Sequence, residues 1–242
     1  MNAGLMMKHT PLSVPMTKTE QLWGLGFLMV QQLILSRLVW LLPLGSPVLR
    51  NLLYAGISFG AAAWIFFRFW KESATHFPKK IGIFLWRILL SYAAYTVLTE
   101  LLCQLLYPLF PRWFSMTETG PALISPNEQA IRAMVKENFP LMALCTVALV
   151  PPVEEILHRG VIFGALCEKH PVAAYLLSAT LFAAIHVMGD LGTADPIYLL
   201  LCFLQYLPAG FLLARLYRET DSIFAPILMH MAINAVALLS VR

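Results

Sequence analysis

The fold is decided by the nine residues Pro151-Pro152-Val153-Glu154-Glu155-Ile156-Leu157-His158-Arg159. They place a burst of charge inside an apolar run that extends from about residue 141 to residue 167. In a membrane protein such a burst lies at or near bilayer depth, where ionisable side chains are costly and mark functional sites. The stretch therefore predicts a functional site inside the membrane.

The composition of the chain indicates that the bilayer is its solvent. Of its 242 residues, 59% are hydrophobic and only 12% are charged, whereas a soluble domain is typically about 25% charged. A span needs roughly 20 apolar residues, and backbone that faces lipid must be helical to satisfy its hydrogen bonds. The sequence therefore predicts an all-α, polytopic membrane helix bundle of about seven to eight transmembrane helices, which encloses the membrane-embedded functional site.

The apolar runs predict seven spans, at approximately residues 21–44, 51–70, 81–107, 139–167, 171–188, 196–217 and 222–240. Residues 1–20 are polar enough to stay outside the membrane. Prolines break residues 108–138, where a short amphipathic helix at the interface is predicted over 128–138. We expect two parts, residues 1–135 with the N-terminal transmembrane helices and interfacial loop, and residues 136–242 with the core that contains the functional site.

The charge and the cysteines exclude other classes of protein. The formal net charge is +4, and basic residues at span ends and in loops explain it without a nucleic-acid partner. The cysteines lie in or beside apolar segments without C-x-x-C spacing, so we expect packing roles rather than disulfides or metal binding. They are Cys103, Cys145, Cys167 and Cys202.

Helical spacing separates the roles of the two glutamates. Glu155 and Arg159 are four apart, so they share a helix face and can form the ion pair that a buried arginine needs. Glu154 lies about 100° round the helix and is left free. Pro151 and Pro152 remove two backbone donors, so we expect the helix to kink or open there and admit water. Alternatively, both glutamates only neutralise the arginine, although one would suffice.

Two later spans carry further polar residues. Phe182 and His186 are four apart near the end of the fifth span, and His230 and Asn234 are four apart on the seventh. Alone, His186 could be an interfacial histidine, and the second pair could join helices by hydrogen bonds. Together with Glu154, these residues supply groups that can activate water and stabilise an oxyanion.

The three motifs resemble the pattern of the CPBP family, also called the CAAX-protease and bacteriocin-processing or Abi family. That pattern is E-E-x-x-x-R, then F-x-x-x-H, then H-x-x-x-N. Here the motifs stand as Glu154-Glu155-Ile156-Leu157-His158-Arg159, Phe182-Ala183-Ala184-Ile185-His186 and His230-Met231-Ala232-Ile233-Asn234. All three are complete and in order, and the resemblance covers roughly residues 140–240.

The resemblance implies an intramembrane endopeptidase of glutamic type, which cuts a membrane-associated or lipidated protein or peptide. By this resemblance, Glu154 would be the general base that activates water, assisted by His186. His230 and Asn234 would stabilise the oxyanion. Structural support would come from three other motif positions, namely Glu155, Arg159 and Phe182.

A metal-dependent mechanism is the alternative. Glu154, His186 and His230 could supply three ligands to Zn²⁺ and leave a position for water. The H-E-x-x-H spacing of soluble zinc proteases is absent, so we expect catalysis without a metal or other cofactor. The expected substrate is a membrane protein or lipidated peptide, in CAAX-type, leader or sorting-tail processing.

Two other functions remain alternatives at this point. Buried glutamate and histidine could relay ions in a proton-coupled transporter, but the chain lacks the repeated halves that many transporters show. A non-catalytic bacteriocin-immunity or membrane scaffold protein is the second alternative, although the complete motif set favours catalysis. In each case we expect an integral, multi-pass protein of a bacterial-type cell (inner) membrane, with the lipid bilayer as a partner.

Overall fold

The computed structural model describes residues 11–118 and 120–241. Over those ranges it contains nine longer helices, two short 3-10 helices (Pro111–Trp113 and Met188–Asp190) and one hairpin. The helices are α1 (Lys18–Leu41), α2 (Pro47–Ile65), α3 (Phe67–Thr75), α4 (Ile81–Leu106), α5 (Pro126–Glu137), α6 (Phe139–Leu166), α7 (Pro171–Ile185), α8 (Pro196–Thr220) and α9 (Phe224–Leu239). Strand β1 (Ser115–Thr117) pairs antiparallel with β2 (Gly120–Ala122). Residues 1–10, part of the predicted extramembrane segment, lie outside the described residues.

The predicted all-α membrane bundle is confirmed, and the protein is an integral, multi-pass membrane protein. Five helices are long and apolar enough to cross a membrane, namely α1, α2, α4, α6 and α8. Helices α7 and α9 are apolar but have only 15 and 16 residues. Each of the seven predicted spans corresponds to one of these helices. The amphipathic helix predicted over 128–138 is α5.

The second span is shorter at its end than the hydrophobicity predicts. Phe66 leaves the helical conformation, with φ −105° and ψ 24°, so α2 ends at Ile65. Residues 67–70, which the sequence assigns to this span, instead begin α3. Helix α3 is strongly amphipathic and carries Arg68, whose guanidinium binds Glu20 and Glu72. The break at Phe66 therefore separates the charged helix α3 from the apolar span α2.

Capping residues explain where several helices begin. In three cases a side-chain oxygen accepts an N–H of the first turn and a proline follows directly, which suits the first helical position. These pairs are Ser46-Pro47, Ser125-Pro126 and Asp195-Pro196. Helix α8 ends at Asp221 in the left-handed conformation, with φ 51°. The Asp221 carboxylate accepts the N–H and the hydroxyl of Ser13, which fixes the N-terminal segment there.

Helix α6 is the centre of the bundle and contacts α1, α2, α7, α8 and α9. Every residue of its stretch Ile156–Phe163 is buried. Gly24 permits the close approach of α1, because a Cβ there would collide with the Val161 side chain. The four cysteines are free and buried, as predicted. The helix that carries the charged burst is thus covered by neighbours rather than by lipid along this stretch.

Pro151 and Pro152 do not break α6. They lie between two π-helical stretches, Leu144–Leu149 and Ile156–Phe163, and the helix continues through both. In the first stretch the Val150 N–H donates to Cys145 O, and Pro151 has no N–H to give. The predicted opening therefore takes the form of widened π turns, which leave a main-chain carbonyl of the preceding turn for another partner.

Candidate active site

Phe182 lies at the centre of a cluster that joins α6, α7 and α9. Its ring centroid is 5.5, 4.7 and 5.6 Å from the imidazole centroids of His158, His186 and His230. The guanidinium carbon of Arg159 lies 4.6 Å from the same ring centroid, within cation–π range. The ring is 2% exposed. The three motifs, which are distant in the sequence, thus meet around one aromatic side chain.

Glu155 forms the ionic framework of this cluster. Its Oε1 accepts from Arg159 Nη1 at 2.9 Å and from His230 Nδ1 at 2.8 Å. The side chains of Glu155 and Arg159 are both fully buried. Removing charges from water is costly, and a pair of this kind is stable only when further hydrogen bonds satisfy it. Here His230 supplies one of them, so Glu155 joins α6 to α9.

Arg159 extends the framework to α8. Its Nη2 donates to the main-chain carbonyl of Gly210 at 3.0 Å. A Cβ at Gly210 would lie 2.8 Å from Ala179 Cα, so glycine is what allows α8 and α7 to approach this closely. The predicted Glu155–Arg159 pair is therefore present. Its hydrogen bonds join α6, α8 and α9, and the Arg159 guanidinium also contacts Phe182 of α7.

Glu154 has a different environment, although it is the neighbouring residue. Its Oε2 lies 3.8 Å from His230 Nε2, and its side chain is 19% exposed. The Oε2 atom is buried and has no hydrogen-bond partner among the described residues. As predicted from the spacing, this carboxylate is left free by the Arg159 pair. It points to the edge of the cluster with acceptor capacity for a water or a substrate group.

The three imidazoles share one protonation pattern. In His158 and His186, Nδ1 lies 2.8 and 2.7 Å from the main-chain carbonyl four residues earlier. In His230, Nδ1 lies against the Glu155 carboxylate. Carbonyl and carboxylate oxygens only accept, so Nδ1 carries the proton in each ring. In the neutral form, each Nε2 is therefore an acceptor.

Sequence reasoning gave no role to His158, which the structure places in this cluster. The residue is fully buried, and its Nε2 has no hydrogen-bond partner among the described residues. Its position four residues after Glu154 was the available signal, because that spacing puts both on one face of α6. The family pattern leaves this position unspecified.

Asn234 fills a gap in the hydrogen bonds of α6. Its Nδ2 donates to the carbonyl of Thr146 at 2.8 Å. That carbonyl belongs to the π-helical stretch before Pro151, which has no N–H to offer it. The side-chain amide carries two N–H groups. Asn234 thus ties α9 to α6 with one donor and retains a second.

His186 stands at the end of α7, where it is supported by α8. Its ring stacks on that of Tyr206, with centroids 4.3 Å apart and planes at 29°. The Tyr206 hydroxyl lies 2.8 Å from Ser125 Oγ, the residue that caps α5. Sequence reasoning missed Tyr206, because an aromatic residue in a long apolar span carries no distinguishing signal. Tyr206 therefore connects the segment before α5 to the cluster around Phe182.

The predicted zinc ligands do not form a metal-binding group in this conformation. Within residues 11–118 and 120–241, no group of three or more His, Cys, Asp or Glu side chains is arranged to hold a metal ion. The Phe182 ring contacts both His186 and His230. The set Glu154, His186 and His230 therefore does not fit Zn²⁺ here, and no chemical step is assigned to a metal.

Comparisons with known proteins agree with the motifs. Residues 136–236 match the family described as Type II CAAX prenyl endopeptidase Rce1-like. Over 111 residues the chain is 38% identical to the protein named "Putative membrane peptidase YdiL" of Bacillus subtilis (strain 168), an alignment that covers 46% of this chain and 41% of that relative. No solved structure matches the chain.

The carboxy-terminal part of the chain, residues 136–236, is similar to CAAX-type membrane proteases, which confirms the predicted resemblance. This segment contains all three motifs, helices α6 to α8 and most of α9. The chain spans less than half the length of the curated relative that it matches. The similarity therefore concerns the part of the molecule that holds the cluster.

Proposed function

We propose that the protein is an intramembrane endopeptidase in which Glu154 activates a water molecule for attack on a peptide bond. The observation that carries this proposal is the unequal pairing of adjacent carboxylates. Glu155 accepts hydrogen bonds from Arg159 and His230, both through Oε1, and its side chain is fully buried. The Glu154 side chain is 19% exposed and its Oε2 has no hydrogen-bond partner among the described residues; the second oxygen of Glu155 also lacks one, but it lies inside the ionic framework. A buried carboxylate with unused acceptor capacity, in a cluster of imidazoles, is equipped to act as a general base.

His186 would assist at this step. Its Nδ1–H is held by the Phe182 carbonyl, so its Nε2 can accept a proton or a hydrogen bond from the same water. The stack on Tyr206 limits rotation of the ring. Two acceptors on separate helices would orient the water, and one of them would take its proton as the new C–O bond forms.

His230 and Asn234 would stabilise the oxyanion by donating hydrogen bonds. For Asn234, the donor is the amide N–H that Thr146 does not use. For His230, Nδ1 is committed to Glu155, so Nε2 can donate only when the ring is an imidazolium. The Glu155 carboxylate would balance that positive charge, as in other hydrogen-bonded histidine–carboxylate pairs.

The expected substrate is a membrane-anchored or lipidated protein or peptide. The cluster lies on apolar helices of a membrane bundle, so a peptide must reach it from the bilayer or its interface. The name of the matched family refers to CAAX prenyl endopeptidases, which is consistent with a lipidated tail. Processing of a leader or a sorting tail is the other form of the same reaction.

A comparison of membrane proteomes tests the activity and identifies the substrate in the same experiment. Cells that carry the wild-type chain or Glu154→Gln are compared by mass spectrometry of peptide termini. We expect new termini in the wild type that are lost in the variant. Glu100→Gln is a matched control, because this glutamate lies near the end of α4, away from the cluster. Identical termini with and without Glu154 would contradict hydrolysis and favour the scaffold or transporter alternatives.

Elemental analysis tests the proposal that catalysis needs no metal. Purified protein is treated with a chelator, its zinc content is measured, and its cleavage rate is compared with that of untreated protein. We expect full activity at a zinc content far below one ion per chain. Loss of activity that returns on addition of Zn²⁺ would favour the metal-dependent alternative.

A further inference from the structure

A groove of about 450 Å³ lies beside α5, in the segment that joins α4 to α6. Its polar and aromatic lining residues are Trp113, Ser115, Gln129, Arg132, Lys136 and Tyr198. None of them contributes to the proposed hydrolysis. The groove stands where α4 ends and α8 begins. Both helices are long and apolar enough to cross a membrane, so we infer that the groove lies at the membrane–water interface.

One wall of the groove is an aromatic stack. The rings of Trp113 and Tyr198 lie 5.1 Å apart with planes at 16°. Trp113 also meets the Arg112 guanidinium at 4.2 Å, and Arg112 in turn pairs with Asp195. Aromatic and arginine side chains of this kind are typical of the membrane–water interface. Tyr198 and Arg112 therefore both contact Trp113 and hold it in place. We infer that this wall lies at the level of the lipid headgroups.

The opposite wall is the polar face of α5. Gln129, Arg132 and Lys136 recur at the spacing of one helix face, and all of them line the groove. The apolar face of α5 is turned away, since Val135 packs with Val48, Met142 and Leu238 in a separate buried cluster. The packing of α5 thus directs its cations into the groove.

These cations are only partly neutralised. Arg132 binds Glu128 through Nε and Nη2, which leaves Nη1 available. Lys136 forms no ion pair among the described residues, and no carboxylate lines the groove. The groove therefore offers the Lys136 ammonium, the Arg132 Nη1 amino group and the Ser115 hydroxyl to an anion.

Hydrogen bonds hold the groove in shape. Gln129 Nε2 donates to Tyr198 Oη at 3.0 Å and to the Ile124 carbonyl at 3.2 Å. The Tyr198 hydroxyl donates to the same carbonyl. The two walls are therefore joined through the chain segment between β2 and α5, and the groove is a built feature rather than a gap between loose loops.

We propose that this groove binds the phosphate group of an anionic membrane lipid. Its donors suit phosphate oxygens, and large apolar side chains on the neighbouring surface can contact acyl chains, since Leu109, Met116 and Leu191 are exposed. A cation near a membrane surface attracts an anionic lipid by about 1 kcal/mol. Inorganic phosphate shares the headgroup chemistry but lacks the acyl chains, which separates the two ligands experimentally.

Native mass spectrometry of the purified full chain tests the proposal. The protein is titrated with phosphatidylglycerol or with phosphatidylcholine, and bound lipid is counted. We expect preferential retention of phosphatidylglycerol. Lys136→Gln and Arg132→Gln should each weaken this binding about fivefold, the factor that corresponds to about 1 kcal/mol, and the double variant should weaken it about 25-fold if the two effects are independent. Lys79→Gln, in the loop before α4, is the matched control and should leave it unchanged.

Three results would overturn the proposal. One is equal retention of phosphatidylglycerol by the double variant and the wild type, provided that their melting temperatures agree. Another is equal retention of the two lipids by the wild type. The third is binding of inorganic phosphate that depends on Lys136 while lipid binding does not, which would identify a soluble anion as the ligand. Peptide cleavage is not measured, so the result is independent of the proposed hydrolysis.

Discussion

The two neighbouring glutamates of α6 have opposite environments. Glu155 is fully buried and accepts hydrogen bonds from Arg159 and His230, whereas the Glu154 side chain is 19% exposed and lies 3.8 Å from its histidine partner. Adjacent residues of a helix point about 100° apart, so two glutamates that follow each other in the sequence lie in different environments. The comparison separates a carboxylate that holds the helices together from one that is available for chemistry.

Replacing the free carboxylate should produce the largest effect on activity and almost none on stability. Glu154→Gln keeps the shape but removes the base, so we expect the cleavage rate to fall roughly 10²–10⁴-fold. The melting temperature should not fall, because the buried Oε2 has no hydrogen bond to lose among the described residues. Both quantities are measured on purified protein with a substrate found from the terminal peptides.

Glu155→Gln is the matched control at the next position. It should lower the melting temperature, because Arg159 and His230 lose their anionic partner. A Glu154→Gln protein with the wild-type cleavage rate would contradict the division of roles between the two residues.

The framework can be tested by comparing two ion pairs with the same helical spacing. Arg159 and Glu155 are fully buried, whereas Arg215 and Glu219 are 55% and 37% exposed. Breaking a buried pair leaves an uncompensated charge, so Arg159→Leu should lower the free energy of unfolding by about 3–5 kcal/mol. Arg215→Leu should change it by about 0–1 kcal/mol. Thermal or denaturant unfolding in detergent gives both values, and equal losses would refute the assigned role of burial.

Asn234 combines a structural contact with a proposed catalytic role, so its replacement tests both. If its second N–H stabilises the oxyanion, Asn234→Ala should reduce the cleavage rate about 10²–10³-fold. Loss of the bond to Thr146 also leaves a carbonyl without a donor, at a cost of about 1–3 kcal/mol in stability. Rate and unfolding are measured on the same preparation. A rate within tenfold of wild type would leave only the structural role.

The sequence predicted much of the bundle because the bilayer restricts what an apolar chain can do. Seven apolar runs became seven helices, and the Glu155–Arg159 pair followed from i, i+4 spacing. The end of the second span was misplaced because Phe66 is apolar but breaks the helix. Hydrophobicity measures where a chain can lie in lipid, and it does not report backbone conformation.

The contacts between distant segments could not be predicted in the same way. Nothing in the local sequence indicates that Tyr206 stacks on His186, or that Asn234 completes the turn opened by Pro151. These contacts depend on the rotation and height of whole helices, which are set by packing. The motifs identify the residues that form the cluster. Residues that orient them, such as Tyr206, lie in segments that carry no recognisable motif.

Tyr206 should give the smallest of these effects and the finest test of orientation. Tyr206→Phe keeps the ring on His186 but removes the hydroxyl that meets Ser125. One hydrogen bond contributes about 0.5–1.5 kcal/mol, so we expect the cleavage rate to fall about two- to tenfold. Tyr198→Phe is the matched control, because it removes a hydroxyl that binds the same chain segment, at Ile124, from the same helix. If Tyr206 acts by orienting His186, its variant should lower kcat and alter the pH profile, whereas the control should change stability alone. Equal effects of the two variants on kcat would mean that both tyrosines only hold the interfacial segment in place.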